Sequence, residues 1–153
     1  MTGPFYKWLD IPPMWLGVCA AIAWVQVRLA PLGPEPSLLL RAVGGVLIAL
    51  GLMLIGLAAY EMARARTTII PHLDPSQLVQ SGIFAWSRNP IYLADAVILV
   101  GLCLRWGAYL SLVLVPIFMM WISRHFIRAE EARLRKHFGE VFDAYTQKVR
   151  RWL

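Results

Sequence analysis

The chain has 153 residues, 59% of them hydrophobic and 16% charged, with a formal charge of +6. A soluble domain of this length has too little interior for so much apolar surface, so one membrane-embedded domain is expected. The basic residues flank apolar runs and form no separate face, which argues against nucleic acid and for an anionic membrane surface as the partner.

Residues 1–10 carry Lys7 and Asp10 ahead of several apolar runs, so no cleaved signal peptide is expected. The first apolar run, 11–30, is interrupted only by Arg28. "PLGPEP" (31–36) is a polar breaker. The second run, 42–60, has no charge. Each is close to the roughly 20 residues that span a bilayer. A cytoplasmic loop is expected over 61–89. The third and fourth helices, 90–104 and 106–123, are separated by Arg105 and read as a hairpin, with Pro90 at the first helical position. In the tail, 124–152, apolar residues from Phe126 to Trp152 recur at three- and four-residue steps. That pattern predicts an amphipathic helix at the membrane interface, broken or kinked at Gly139.

The fold class is therefore all-α: an integral, multi-pass membrane protein with about four transmembrane helices plus a C-terminal amphipathic interfacial helix. If all four runs span, Arg28, Arg41 and Arg105 fall on one side and twelve other Lys and Arg on the opposite side. The positive-inside tendency then places both termini in the cytoplasm. Cys19 and Cys103 sit inside apolar runs and act as small hydrophobes, so no disulfide framework or metal site is expected. "GGVLIALG" (44–51) lies inside an apolar helix with no strand before it, so its glycines are read as helix packing, not as a nucleotide loop.

Two polar segments stand out. "SRNPIY" (87–92), followed by Asp95, sits where the chain turns apolar, and Glu130 and Glu131 are adjacent in the tail. Singly, each has an ordinary explanation: Arg88 as a topology charge, Tyr92 as an interfacial aromatic, the glutamates as a solvated pair. The hairpin brings both to one face, where cationic and hydrogen-bonding groups meet two carboxylates. Such a site suits a zwitterion or a sulfonium.

"LVQSGIFAWSRNPIYL" (78–93) and "RAEEARLRKHFGEVFDAYTQKVRRW" (128–152) together resemble the isoprenylcysteine carboxyl methyltransferase and phospholipid methyltransferase superfamily of integral membrane enzymes. Gly82, Phe84, Arg88, Asn89, Pro90 and Tyr92 fit its first motif; Glu130, Glu131, Leu134, Phe138, Gly139, Phe142 and Tyr145 fit its second. The resemblance covers roughly residues 67–152. Asn89 stands where many members have His, Phe142 where Tyr is frequent, and Asp95 where an apolar residue is usual.

The resemblance implies a cytoplasmic active site that binds S-adenosylmethionine. Arg88, Asn89, Pro90, Tyr92, Glu130 and Glu131 would contact the cofactor, and Arg88, Arg128 and Asp95 are the candidate catalytic residues. The expected acceptor is lipophilic or lipidated, such as an isoprenylcysteine-type carboxylate. Three alternatives stand beside it: a phospholipid amine N-methyltransferase, an NADPH-dependent sterol-type reductase, and a non-enzymatic membrane protein. Methyl transfer from a sulfonium is an in-line displacement, so the protein must chiefly align the partners and exclude water.

Overall fold

The computed structural model describes residues 11–31, 33–67 and 77–153, which are helical with connecting turns and contain no strand. Lys7 and residues 68–76 of the expected loop lie outside the described residues. Helix α1, Pro12–Leu29, begins on prolines whose fixed φ suits a first turn. Helix α2, Leu38–Arg64, starts where the Ser37 hydroxyl accepts the Leu40 N–H at 3.3 Å. Helix α3 spans Pro90–Trp106 and is closed by Gly107 in the left-handed conformation, φ 74. Helix α4, Leu110–Phe138, opens with a 3-10 turn and contains a π turn at Ser123–Ile127. Helix α5, Glu140–Lys148, follows at once.

Two of these elements differ from the sequence expectation. The fourth apolar run does not end at Ser123: α4 continues through Arg124 to Phe138, so no single amphipathic helix covers 124–152. The break falls at Gly139, φ 51 and ψ −125, a conformation open essentially to glycine alone. The amphipathic spacing was genuine, but it is shared between the end of α4 and α5. Phe142, Tyr145 and Val149 bury themselves against Leu78, Leu134 and Phe138.

Of the four apolar helices, two are long and apolar enough to cross a membrane, α2 and α4. Helix α3 has 17 residues, about 25 Å of rise against a hydrocarbon core of roughly 30 Å. Helix α1 carries Gln26 and Arg28 in its last turn. The large apolar side chains exposed on the bundle include Val46, Leu52 and Met53 of α2 and Ile117 and Met120 of α4, the pattern expected of surface turned toward lipid.

Glycines let α2 and α3 approach closely. A Cβ on Gly44 would stand 2.6 Å from the Gly101 carbonyl, and one on Gly101 would stand 2.7 Å from that of Gly44. The glycines of 44–51 thus serve helix packing, as read from the sequence. On another face of α3, Tyr92, Ala96, Leu99 and Cys103 recur at helical spacing and pack with Phe118, Ile122 and Phe126 of α4 and Ala23 of α1.

The bundle has two distinct ends. At one, Arg105 donates to the Arg41 carbonyl at 3.2 Å and Ser111 to Gln26 at 3.1 Å. Arg28, Arg41 and Arg105 therefore share an end, as the sequence expectation had them. At the other end, Glu61 near the close of α2 accepts the Ser81 hydroxyl at 2.6 Å, beside the turn that leads into α3.

Candidate active site

Pro90 is the origin of the local geometry. A residue before proline is pushed out of the helical region, and Asn89 sits at φ −133, ψ 60. The chain therefore turns sharply between Arg88 and Pro90, and the side chains of Ser87 and Asn89 are free to bond elsewhere. They do not cap α3. The Asn89 Nδ2 donates to the Arg151 carbonyl at 3.0 Å, and the Ser87 hydroxyl lies 3.5 Å from the same oxygen. The Arg88 N–H donates to the Arg150 carbonyl at 3.1 Å. The chain beyond α5, extended at Val149, is laid across this turn as a strap.

The glutamates enter from α4, just after its π turn. That widened turn lies one helical turn short of the site, a placement typical of π insertions near functional groups. Adjacent helical residues point about 100° apart, so the two carboxylates reach different partners. Glu130 Oε2 accepts the Tyr92 hydroxyl at 3.1 Å. Glu131 Oε1 pairs with Arg88 Nη1 at 3.0 Å and accepts Arg151 Nε at 3.1 Å, while its Oε2 accepts Arg151 Nη2 at 2.6 Å. The Arg88 and Glu131 side chains are only 15% and 13% exposed, so this ion pair is well shielded from screening. Hydrogen bonding to Glu131 raises the Arg151 guanidinium further above its already high range.

Helix α5 fixes the turn from its far side. The Tyr145 hydroxyl donates to the Phe84 carbonyl at 2.6 Å, and burial pushes this phenol up to about 12, so it remains a donor at neutral pH. Arg135 meets Asp143 at 2.7 Å across the Gly139 corner, with its guanidinium 5.5 Å from the Phe142 ring centre.

Two polar atoms in this region are buried without a partner among the described residues: Arg88 Nε and Asp95 Oδ2. Asp95 is 2% exposed and sits one turn past Tyr92. On α3 it lies between the stripe that meets α4 (Tyr92, Ala96, Leu99, Cys103) and the residues that meet α2 (Ala94, Ile98, Gly101, Arg105).

Of the candidates read from the sequence, Arg88, Tyr92, Glu130 and Glu131 come together, with Asn89 and Pro90 shaping the turn beside them. Asp95 is adjacent but faces inward. Arg128 is exposed and is not a partner of Glu131. Sequence reasoning missed Arg151, Ser87 and the anchoring role of Tyr145. Arg151 falls inside the amphipathic helix expected over 124–152, but it lies beyond the end of α5, and nothing in helical periodicity marks that change.

The sequence profile of a family described as phospholipid methyltransferase matches residues 39–141. A Haemophilus influenzae protein described as uncharacterized is 40% identical over 63 residues, which is 41% of this chain and the whole of that protein.

Proposed function

The chain belongs to the phospholipid methyltransferase family, and from that premise we propose that it is a membrane-embedded, S-adenosylmethionine-dependent enzyme that methylates a lipid-borne acceptor. One observation carries the reading. Residues 38 or more positions apart in sequence, Tyr92 with Glu130 and Arg88 with Glu131, meet in one charged cluster at the end of an apolar bundle. The apolar helices form one domain set in the bilayer, with the cluster and both termini on the cytoplasmic side.

The donor groups fit the cofactor. A buried, unpartnered guanidinium Nε on Arg88 suits an anionic group such as a carboxylate. Glu130 and Glu131 suit an ammonium or ribose hydroxyls, and Tyr92 and Pro90 bound the pocket. When bound, S-adenosylmethionine supplies an activated methyl group and a neutral leaving group. The residues of this chain bind it, orient it and keep water away.

For the acceptor, an amine-bearing lipid is favoured over an isoprenylcysteine-type carboxylate. A carboxylate attacks without losing a proton, and a second buried carboxylate beside it would repel it. An amine must be neutral to attack, so a group that takes its proton accelerates transfer. We assign that role to Asp95, whose Oδ2 is buried without a partner among the described residues, and assign to the exposed Arg128 the contact with an anionic part of the headgroup. The test is transfer of labelled methyl groups by purified protein in vesicles, with an aminophospholipid or an isoprenylated cysteine as acceptor and NADPH as control. Labelled aminophospholipid is expected. Label only in the isoprenylated cysteine overturns the acceptor assignment, and NADPH binding in place of S-adenosylmethionine overturns the enzyme class.

A further inference from the structure

The strap after α5 lies outside the residues matched by the family profile, which end at 141, yet it bonds to the turn before α3 at Ser87, Arg88 and Asn89 and to Glu131 of α4. Its Arg151 is the one residue, among those described, that binds both polar segments. The guanidinium grips Glu131 of α4 through two hydrogen bonds, at 3.1 and 2.6 Å. The carbonyl of the same residue accepts Asn89 Nδ2 at 3.0 Å from the turn before α3. Glu131 Oε1 is shared between Arg88 and Arg151, so two guanidinium groups bracket one carboxylate.

We propose that Arg151 is a positioning residue for the cofactor site: it sets the rotamer of Glu131 and thereby the direction in which Arg88 presents its remaining donors. The inference rests on the cofactor reading above. The charges explain why the arrangement needs Arg151. A lone Arg88–Glu131 pair is neutral and free to close in several geometries. A second guanidinium holds both carboxylate oxygens in one plane and engages Oε1 from another side. With Glu131 held by both guanidinium groups, Arg88 Nε, buried and without a partner among the described residues, favours an anionic ligand group. The planar fork is essential, because an ammonium cannot hold both oxygens in fixed directions. Arg151 does not touch the reacting atoms, so its loss falls on cofactor binding and not on the chemical step.

Substitution of the side chain leaves the backbone carbonyl, and with it the hold on Asn89, in place. The experiment measures S-adenosylmethionine binding and methyl transfer by full-length protein in vesicles for wild type, Arg151→Lys, Arg151→Gln, Glu131→Gln and the Arg151→Gln/Glu131→Gln double variant. Arg151→Gln should raise Kd and KM for S-adenosylmethionine roughly ten- to a hundredfold, with kcat within about threefold of wild type. Arg151→Lys should recover part of that loss. In the Glu131→Gln background the Arg151→Gln effect should nearly vanish, because its target is gone. Wild-type affinity in both Arg151 variants overturns this inference alone, as does an Arg151→Gln effect of full size in the Glu131→Gln background. Tighter binding by Arg151→Gln overturns it in favour of a strap that blocks the site. Failure of wild type to bind S-adenosylmethionine overturns the cofactor reading and this inference with it. Arg151→Lys, which keeps the charge, decides the matter if Arg151→Gln does not fold.

Discussion

Glu130 and Glu131 are neighbours in sequence with separate tasks. Glu130 holds one phenol, and Glu131 holds two guanidinium groups. Their neutral variants should fail differently. Glu130→Gln keeps a hydrogen-bond acceptor for Tyr92 and should weaken S-adenosylmethionine binding through the lost charge, by about 1.5–3 kcal/mol, or roughly ten- to a hundredfold. Glu131→Gln additionally leaves Arg88 and Arg151 facing each other without a counter-charge, so its thermal midpoint should fall as well. Calorimetry on both variants checks the order; equal, wild-type binding would reduce the glutamates to surface charges. Arg88→Ala should abolish methyl transfer while the protein still inserts, and Arg88→Lys should restore only a fraction of it. Labelled-methyl incorporation by membranes carrying each variant measures this. Asp95→Asn should leave cofactor affinity within a factor of about two and reduce turnover of an amine acceptor by roughly a hundredfold or more, the scale of a lost general base. Unchanged turnover would show that Asp95 is a tolerated buried acid and no more.

Among the elements, the corner at Gly139 and the contact between α2 and α3 do most to place the cluster. Gly139 has open space around the position a Cβ would take, so its constraint is purely conformational. Gly139→Ala should cost about 1–3 kcal/mol, the range for a residue held in a glycine-only region. The loss should appear as earlier melting and as weaker anchoring of α5, read by faster hydrogen exchange at Tyr145 and beyond. Gly44 faces the opposite constraint, since its missing Cβ is what lets the Gly101 backbone approach. Gly44→Val should push α2 off α3 and lower the yield of folded protein in detergent, whereas Gly56→Ala, with nothing near its Cβ position, should not.

At the scale of the whole molecule, charge is divided between the two ends of the bundle. Arg28, Arg41 and Arg105 mark one end; Arg88, Arg151 and the basic residues of the α4 and α5 segments mark the other. On the positive-inside tendency, the proposed orientation puts the second end, with the candidate site, on the cytoplasmic side. Single cysteines placed at Pro34 and Gln147, in a background lacking Cys19 and Cys103, test this. A membrane-impermeant thiol reagent added to intact cells should label the first position and spare the second; the reverse pattern would invert the topology.

Much of this architecture was legible in the sequence, for physical reasons that act locally. Apolar run length, the proline at the start of α3, the glycines of α2 and the motif pair each depend on neighbours within a few turns, so the all-helical class, the membrane character and the four residues that meet as Tyr92–Glu130 and Arg88–Glu131 could be read directly. The end of the fourth run was misplaced because charge marks where a helix leaves apolar surroundings, not where it stops; α4 runs on past Arg124 until Gly139 permits a turn. The inward placement of Asp95, the bracketing of Glu131 by two arginines and the return of the strap to Ser87–Asn89 were decided by tertiary structure alone. They join residues 20 to 64 positions apart, and no local propensity records which distant carbonyl or carboxylate a side chain will meet once the helices have packed.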